Sequence, residues 1–311
     1  MNKLSAVIVA LMIVASTYSQ STLSVKELKK RGSESFASRD YDAAIRYFSE
    51  VIRLTSRLKG DDRIHSNSFS GGSAAAEIAE RDSVTVVDPR AAAAYVDRGK
   101  AYLSKGDIDD AMNDFDRAIS FAPAMASAYF CRATAWLVRG RADLAIADYG
   151  RVLKLDPNFA PGYIGRAAAR FESGAVASAL EDFDLAVKLL PNAPAAFYNR
   201  GDARRRTGDM TGALADFEYS LKLDPKYPDG YLGRGLVSFF KRDFDAAMRD
   251  FSTALTLDPN FAEAHAARGY VYLINGKTAE SELDIQRALT LSPTLGPEIE
   301  SNLRIIRSWK K

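Results

Sequence analysis

From Ala92 to Met125 apolar and polar positions alternate with the period of a helix, break, and begin again. Tyr95, Gly99 and Tyr102 fall at spacings of four and three before Gly106 interrupts. Ala111, Phe115 and Ala118 then resume the same spacing, and Pro123 ends the run. Two apolar stripes of period about 3.6, divided by a glycine, predict two amphipathic helices of roughly 14 residues, each about 20 Å long. Gly106 suits the left-handed residue that closes the first helix, and Asp107 or Asp109 suits the cap of the second. Gly99 and Ala111 are small where the two helices must cross closely, and Tyr102 and Phe115 fill the space between them.

The same unit recurs six times, as 92–125, 126–159, 160–193, 194–227, 228–261 and 262–295. Pro89, Pro123, Pro157, Pro191, Pro225, Pro259 and Pro293 mark the period of 34 residues without a slip. The place of Gly99 is held by Ala133, Ala167, Gly201, Gly235 and Gly269, and that of Phe115 by Tyr149, Phe183, Phe217 and Phe251, with Ile285 in the last unit. The turn glycine returns as Gly140, Gly174, Gly208 and Gly276, whereas Arg242 stands there in the fifth full unit. Arg170 and Arg204 take the place of Tyr102 and do not suit an apolar seam. A recurrence of this length signals a solenoid built from one supersecondary unit that cannot hide its apolar face alone.

This helix–turn–helix pattern resembles the tetratricopeptide repeat. The resemblance implies an all-α, right-handed α-solenoid of antiparallel helix pairs. It also implies a protein-binding scaffold whose first helices line a concave groove. Residues 25–58 read as an imperfect first repeat, with Gly32, Ala44 and Phe48 in the right places and Arg39 at the turn. Residues 59–91 depart from the pattern and read as an insertion carrying a short helix, or as a decayed repeat. Residues 296–311 supply a capping helix with Ile299, Leu303, Ile306 and Trp309 on one face.

Placed on that groove, the candidate binding positions are Val96, Lys100, Phe130, Thr134, Leu137, Ile164, Phe171, Tyr198, Asp202, Arg205, Leu232, Leu236, Phe239, Phe240, Tyr270 and Ile274. Leu236, Phe240, Tyr270 and Ile274 are apolar in usually polar places. They suggest a patch for an apolar segment or a second copy of the chain, or burial against the end helix. The lysine, asparagine and arginine clamp with which some members hold a C-terminal carboxylate is missing in every register tried, including Lys29, Ser33, Asp97, Ser127 and Cys131. An alternative reading gives the run Arg204, Arg205 and Arg206 to a small anion or an acidic peptide; pairing with Asp202, Asp209 or Glu172 is the plainer account.

One further regularity concerns charge. Arg31, Arg98, Arg132, Arg166, Arg200, Arg234 and Arg268 precede the small residue of each first helix. Asp114, Asp148, Asp182, Asp216, Asp250 and Asp284 precede the aromatic of each second helix. Their spacing predicts a ladder of Arg–Asp pairs, because a planar guanidinium matches a carboxylate.

The 311-residue chain carries Lys+Arg 42 against Asp+Glu 40, a formal net charge of +2, which gives no electrostatic case for nucleic acid or an anionic membrane. Residues 1–19 have one lysine, Lys3, and an apolar run from Leu4 to Ala15, the layout of a secretory signal peptide or, if retained, of an anchor. With no Asn-x-Ser/Thr motif, the expected destination is the bacterial periplasm or the exterior. Catalysis finds no support: His65 and His265 are far apart in sequence and Cys131 stands alone. No phosphate-binding glycine loop is present, and neither a metal nor a cofactor is expected.

Overall fold

The computed structural model describes residues 23–57 and 89–308, and all of its regular structure is helical. The expected signal segment and all of the expected insertion before Pro89 lie outside the described residues. The chain divides into two compact units, one ending at Arg141 and the other beginning at Ala142.

In the first unit, α1 (Val25–Ala37) packs on α2 (Tyr41–Arg57), and α3 (Pro89–Lys105) on α4 (Ile108–Phe121), with α5 (Ala126–Val138) following. The second unit begins with α6 (Ala142–Leu155), which packs on α7 (Ala160–Glu172). Seven further helices continue the run: α8 (Val176–Leu189), α9 (Pro194–Arg206), α10 (Met210–Leu223), α11 (Pro228–Phe240), α12 (Phe244–Leu257), α13 (Ala262–Ile274) and α14 (Thr278–Leu291), and α15 (Gly296–Ser308) closes the unit. Within each unit, successive helices pack on one another from α1 to α5 and from α6 to α14, and in the second unit the first helices of successive repeats also touch: α7 with α9, α9 with α11, α11 with α13, α13 with α15. This is the solenoid of helix pairs that the period predicts.

The local geometry explains the period. Gly106, Gly140, Gly174, Gly208 and Gly276 have φ between 70° and 93°, the left-handed conformation that ends a helix. After Gly106 the Asp107 amide donates to the Tyr102 carbonyl at 2.9 Å, satisfying a terminal carbonyl of α3. Arg39 and Arg242 adopt the same conformation at φ 63° and 62°, so the turn survives loss of the glycine at a cost of about 1 kcal/mol. The expected cap of α4 does not form: the Asp107 carboxylate lies 3.5 Å from the Lys105 ammonium, and Asp109 pairs with Arg139. Asp209 and Asp243 do cap their helices, accepting from the Gly212 and Ala246 amides at 2.9 and 3.0 Å.

Within a pair, helices approach until only glycine fits. A Cβ on Gly99 would fall 2.5 Å from the Phe115 ring, and one on Gly235 2.6 Å from the Phe251 ring. Phe115, Phe217 and Phe251 are wholly buried there, beside equally buried Ala111, Ala213 and Ala247. The ruler prolines also have a structural task. The hydroxyls of Tyr129, Tyr163 and Tyr231 donate to the carbonyls of Pro123, Pro157 and Pro225 at 3.2, 3.1 and 3.0 Å, tying the start of each first helix to the preceding turn. His265 keeps this bond through Nε2, 3.1 Å from the Pro259 carbonyl.

Candidate binding groove

The arginine row is structural. Arg98, Arg166, Arg200, Arg234 and Arg268 each hold the aspartate sixteen residues on with two hydrogen bonds of 2.6–3.0 Å. Several also reach back to the preceding repeat: Arg98 donates to Ser49 Oγ at 3.0 Å and Arg200 to Asp184 at 2.8 Å. Each such arginine therefore closes its own repeat and staples it to the one before. Hydrogen bonds donated to Asp114 hold the Arg98 guanidinium above its ordinary value, while burial raises the Asp114 carboxyl against the pull of that guanidinium. The ill-fitting Arg170 and Arg204 join the same rungs, donating to Asp182 at 2.7 Å and to Asp216 at 2.9 Å.

In the first unit the candidate positions pack into its core or turn to neighbours on their own helix. Val96 is buried beside Phe115 and Phe130 packs on the same cluster. Lys100 lies 3.6 Å from Asp97, the Thr134 hydroxyl donates to the Phe130 carbonyl of its own helix, and Leu137 is half-buried. Burial pushes the Cys131 thiol up to about 11, which leaves it protonated and inert at neutral pH.

In the second unit, Ile164 and Phe171 pack around Ala167 and Phe183, and Ile274 packs on the core of the last repeats. Eight of the predicted positions come together: Tyr198, Asp202, Arg205, Leu232, Leu236, Phe239, Phe240 and Tyr270 line an open cavity of about 420 Å³ between α9, α11, α13 and α15. Leu232 and Phe239 form its buried wall, whereas Phe240 is 53% exposed with the Arg205 guanidinium over its ring. Burial, reinforced by the charges of Asp202 and Asp229, raises the Tyr198 hydroxyl far above its ordinary value, so it stays a neutral donor.

The fourth wall is the end helix, against which the sequence offered burial of the patch as one of two readings. Ile299, Asn302, Ile305 and Ile306 of α15 face the cavity, with Asn302 donating to the Tyr270 hydroxyl at 3.4 Å and Ile305 50% exposed. The end helix covers part of the apolar patch, as one of the two readings expected, and frames the rest. The signal available was Ile305, an isoleucine off the capping face. The arginine run is engaged by its own chain. Arg204 meets Asp216, Arg205 donates to Asp202 at 2.7 Å, and Arg206 stacks 4.3 Å from the centroid of the Phe171 ring. Among the described residues, no group of three His, Cys, Asp or Glu side chains is placed to hold a metal ion, and no helix is long and apolar enough to cross a membrane.

Comparison with known proteins gives this arrangement its class. The tetratricopeptide repeat pattern matches residues 57–126, 96–158, 131–194, 164–228 and 232–295, and the chain belongs to that family. The first matched stretch includes residues that read as an insertion. Such proteins generally act as scaffolds that bind other proteins. A tetratricopeptide repeat protein from Parabacteroides merdae shares the fold at TM-score 0.68 and 17% identity, over 91% of this chain and 98% of that one. Cut9, crystallised with Hcn1 as an APC/C hetero-tetramer, does so at 0.60 and 18%, over 90% and 55%. Yeast Tom70 does so at 0.56 and 16%, over 94% and 65%. A curated relative, the DnaJ homolog subfamily C member 7 homolog of Dictyostelium discoideum, is 28% identical over 120 residues, 34% of this chain and 22% of its own length.

Proposed function

We propose that this protein is a non-enzymatic scaffold that docks a peptide or protein segment in the cavity walled by α9, α11, α13 and α15. We further propose that it works after export, in a bacterial periplasm or outside the cell, as the layout of residues 1–19 suggests. The observation that carries the docking site is the open, apolar cavity of about 420 Å³ with Phe240 and Ile305 half exposed at its mouth. Exposed apolar surface of this kind, rimmed by polar groups, is what a partner's apolar side chains bury. The groove forms from repeats 194–227, 228–261 and 262–295 and the end helix, so a second copy of the chain is a partner within the same reading.

A pull-down from envelope extract tests it. Wild type and a Leu236→Glu/Phe240→Glu variant, matched for helix content by far-UV circular dichroism, are compared for the proteins they retain. Loss of the retained set in the variant is expected; an unchanged set removes the groove as the docking site. The anion reading keeps little support, because Arg204 and Arg205 already face carboxylates of the chain.

A further inference from the structure

The acidic side chains of the second unit are unevenly distributed. Its last three inner helices each carry a carboxylate in the first turn: Asp229 in α11, Glu263 in α13 and Glu298 in α15. The other inner helices of this unit, α7 and α9, carry none. Acidic groups at helix starts are favoured by the helix dipole, which explains how they stand without cations. It does not explain why, among the inner helices of this unit, they fall only on ones that wall the cavity.

Glu263 and Glu298 line the cavity itself, and both are exposed. Asp229 is half-buried, bonded to the Tyr227 side chain, and does not line the cavity. Burial raises its carboxyl above the ordinary value, and the charges of Glu263 and Asp258 push it in the same direction. No ion pair to a lysine or arginine is formed by any of these three among the described residues. The single guanidinium in the cavity, Arg205, is neutralised by Asp202. The cavity therefore combines an apolar wall with an unbalanced negative rim.

We infer that this groove takes a segment in which bulky apolar residues are flanked by lysine or arginine. The inference rests on the docking site proposed above and adds the chemistry of its occupant. The apolar side chains enter between Leu236, Phe240, Tyr270 and Ile305, and a flanking cation comes to rest against Glu263 and Glu298. Complementary charge at such a rim sets specificity and speeds encounter, while the buried apolar contact supplies most of the affinity.

The test is fluorescence anisotropy on the full chain with short, blocked, dye-labelled peptides. One carries Leu-Phe-Leu flanked on both sides by lysine pairs, a second has glutamate pairs instead, a third has serine pairs, and a fourth keeps the lysines but replaces the apolar core with serines. The lysine-flanked apolar peptide should bind about tenfold more tightly than the serine-flanked one, and the glutamate-flanked and core-less peptides more weakly still. Glu263→Gln/Glu298→Gln should cost the lysine-flanked peptide about three- to tenfold and leave the serine-flanked one unchanged. Equal binding of the three apolar peptides, all lost in Phe240→Glu, overturns the charge inference and leaves the groove in place. Binding of no peptide overturns the inference, with the pull-down then deciding the groove by itself. A dimer that Phe240→Glu converts to monomer makes the occupant a second copy and overturns it as well.

Discussion

Asp114 in the first unit and Asp216 in the second occupy the same place in their repeats and accept the same pair of bonds from an arginine sixteen residues upstream. One turn beyond that arginine the two rungs part. In the first unit Tyr102 lays its ring 5.8 Å from the Arg98 guanidinium, so the carboxylate meets one cation. In the second Arg204 brings a second guanidinium to Asp216, and Arg170 does the same at Asp182. One position thus has two solutions to the same problem, which is how to surround a buried ion pair. A ring presents its negative face to the guanidinium; a second guanidinium uses the remaining lone pairs of the carboxylate. The second solution leaves an excess positive charge, which Asp184 and Asp209 offset at 3.9 and 4.0 Å. A departure from an apolar pattern is therefore a change of partner and not a defect in the repeat.

The largest expected effect comes from cutting the doubly served carboxylate. Asp216→Ala strands two guanidinium groups and should cost about 3–5 kcal/mol in urea unfolding of the full chain. Asp114→Ala strands one, with Ser49 still beside it, and should cost about 2 kcal/mol. Equal losses would erase the distinction between the rungs. Exchanging the two solutions comes next. Arg204→Tyr in the second unit should cost about 1–2 kcal/mol, because the buried Asp216 loses one of its two guanidinium partners and Asp209 loses its cation, while Asp184 keeps Arg200. Should the melting temperature of Arg204→Tyr match wild type, the second guanidinium contributes nothing.

The smallest effect is a gain. Ser220 stands where Ala118, Ala186, Ala254 and Ala288 stand in other repeats, fully buried, and its hydroxyl finds no partner. Ser220→Ala should stabilise the second unit by about 1 kcal/mol, read as a higher urea midpoint at unchanged slope. A loss of stability would mean that the hydroxyl has a partner after all.

Most of the helical frame was legible in the chain because its determinants are local. The glycine, the aromatic and the Arg–Asp pair all act within one 34-residue unit, so each repeat states them again. Arg170 and Arg204 were misjudged because their partner lies twelve residues on, across the turn, and no sequence period marks it. Eight candidate groove positions converge on one cavity, but Val96 went to the core, and Lys100 and Thr134 turned to neighbours on their own helix. A helical wheel assigns a face; how much of that face a neighbouring helix then covers depends on packing.

What the amino-acid order alone determined is the repeating unit: where the helices run, which side is apolar, and that the arginine before the small residue meets the aspartate sixteen residues on. Folding decided how far the end helix covers the patch, leaving α15 beside α13 as one wall of an open hollow, and it set the first-turn carboxylates Glu263 and Glu298 at that hollow. The reason is range. Hydrogen bonds and helical spacing act over a few residues and can be read along a line, whereas a cavity is the space left when helices far apart in the chain finish packing.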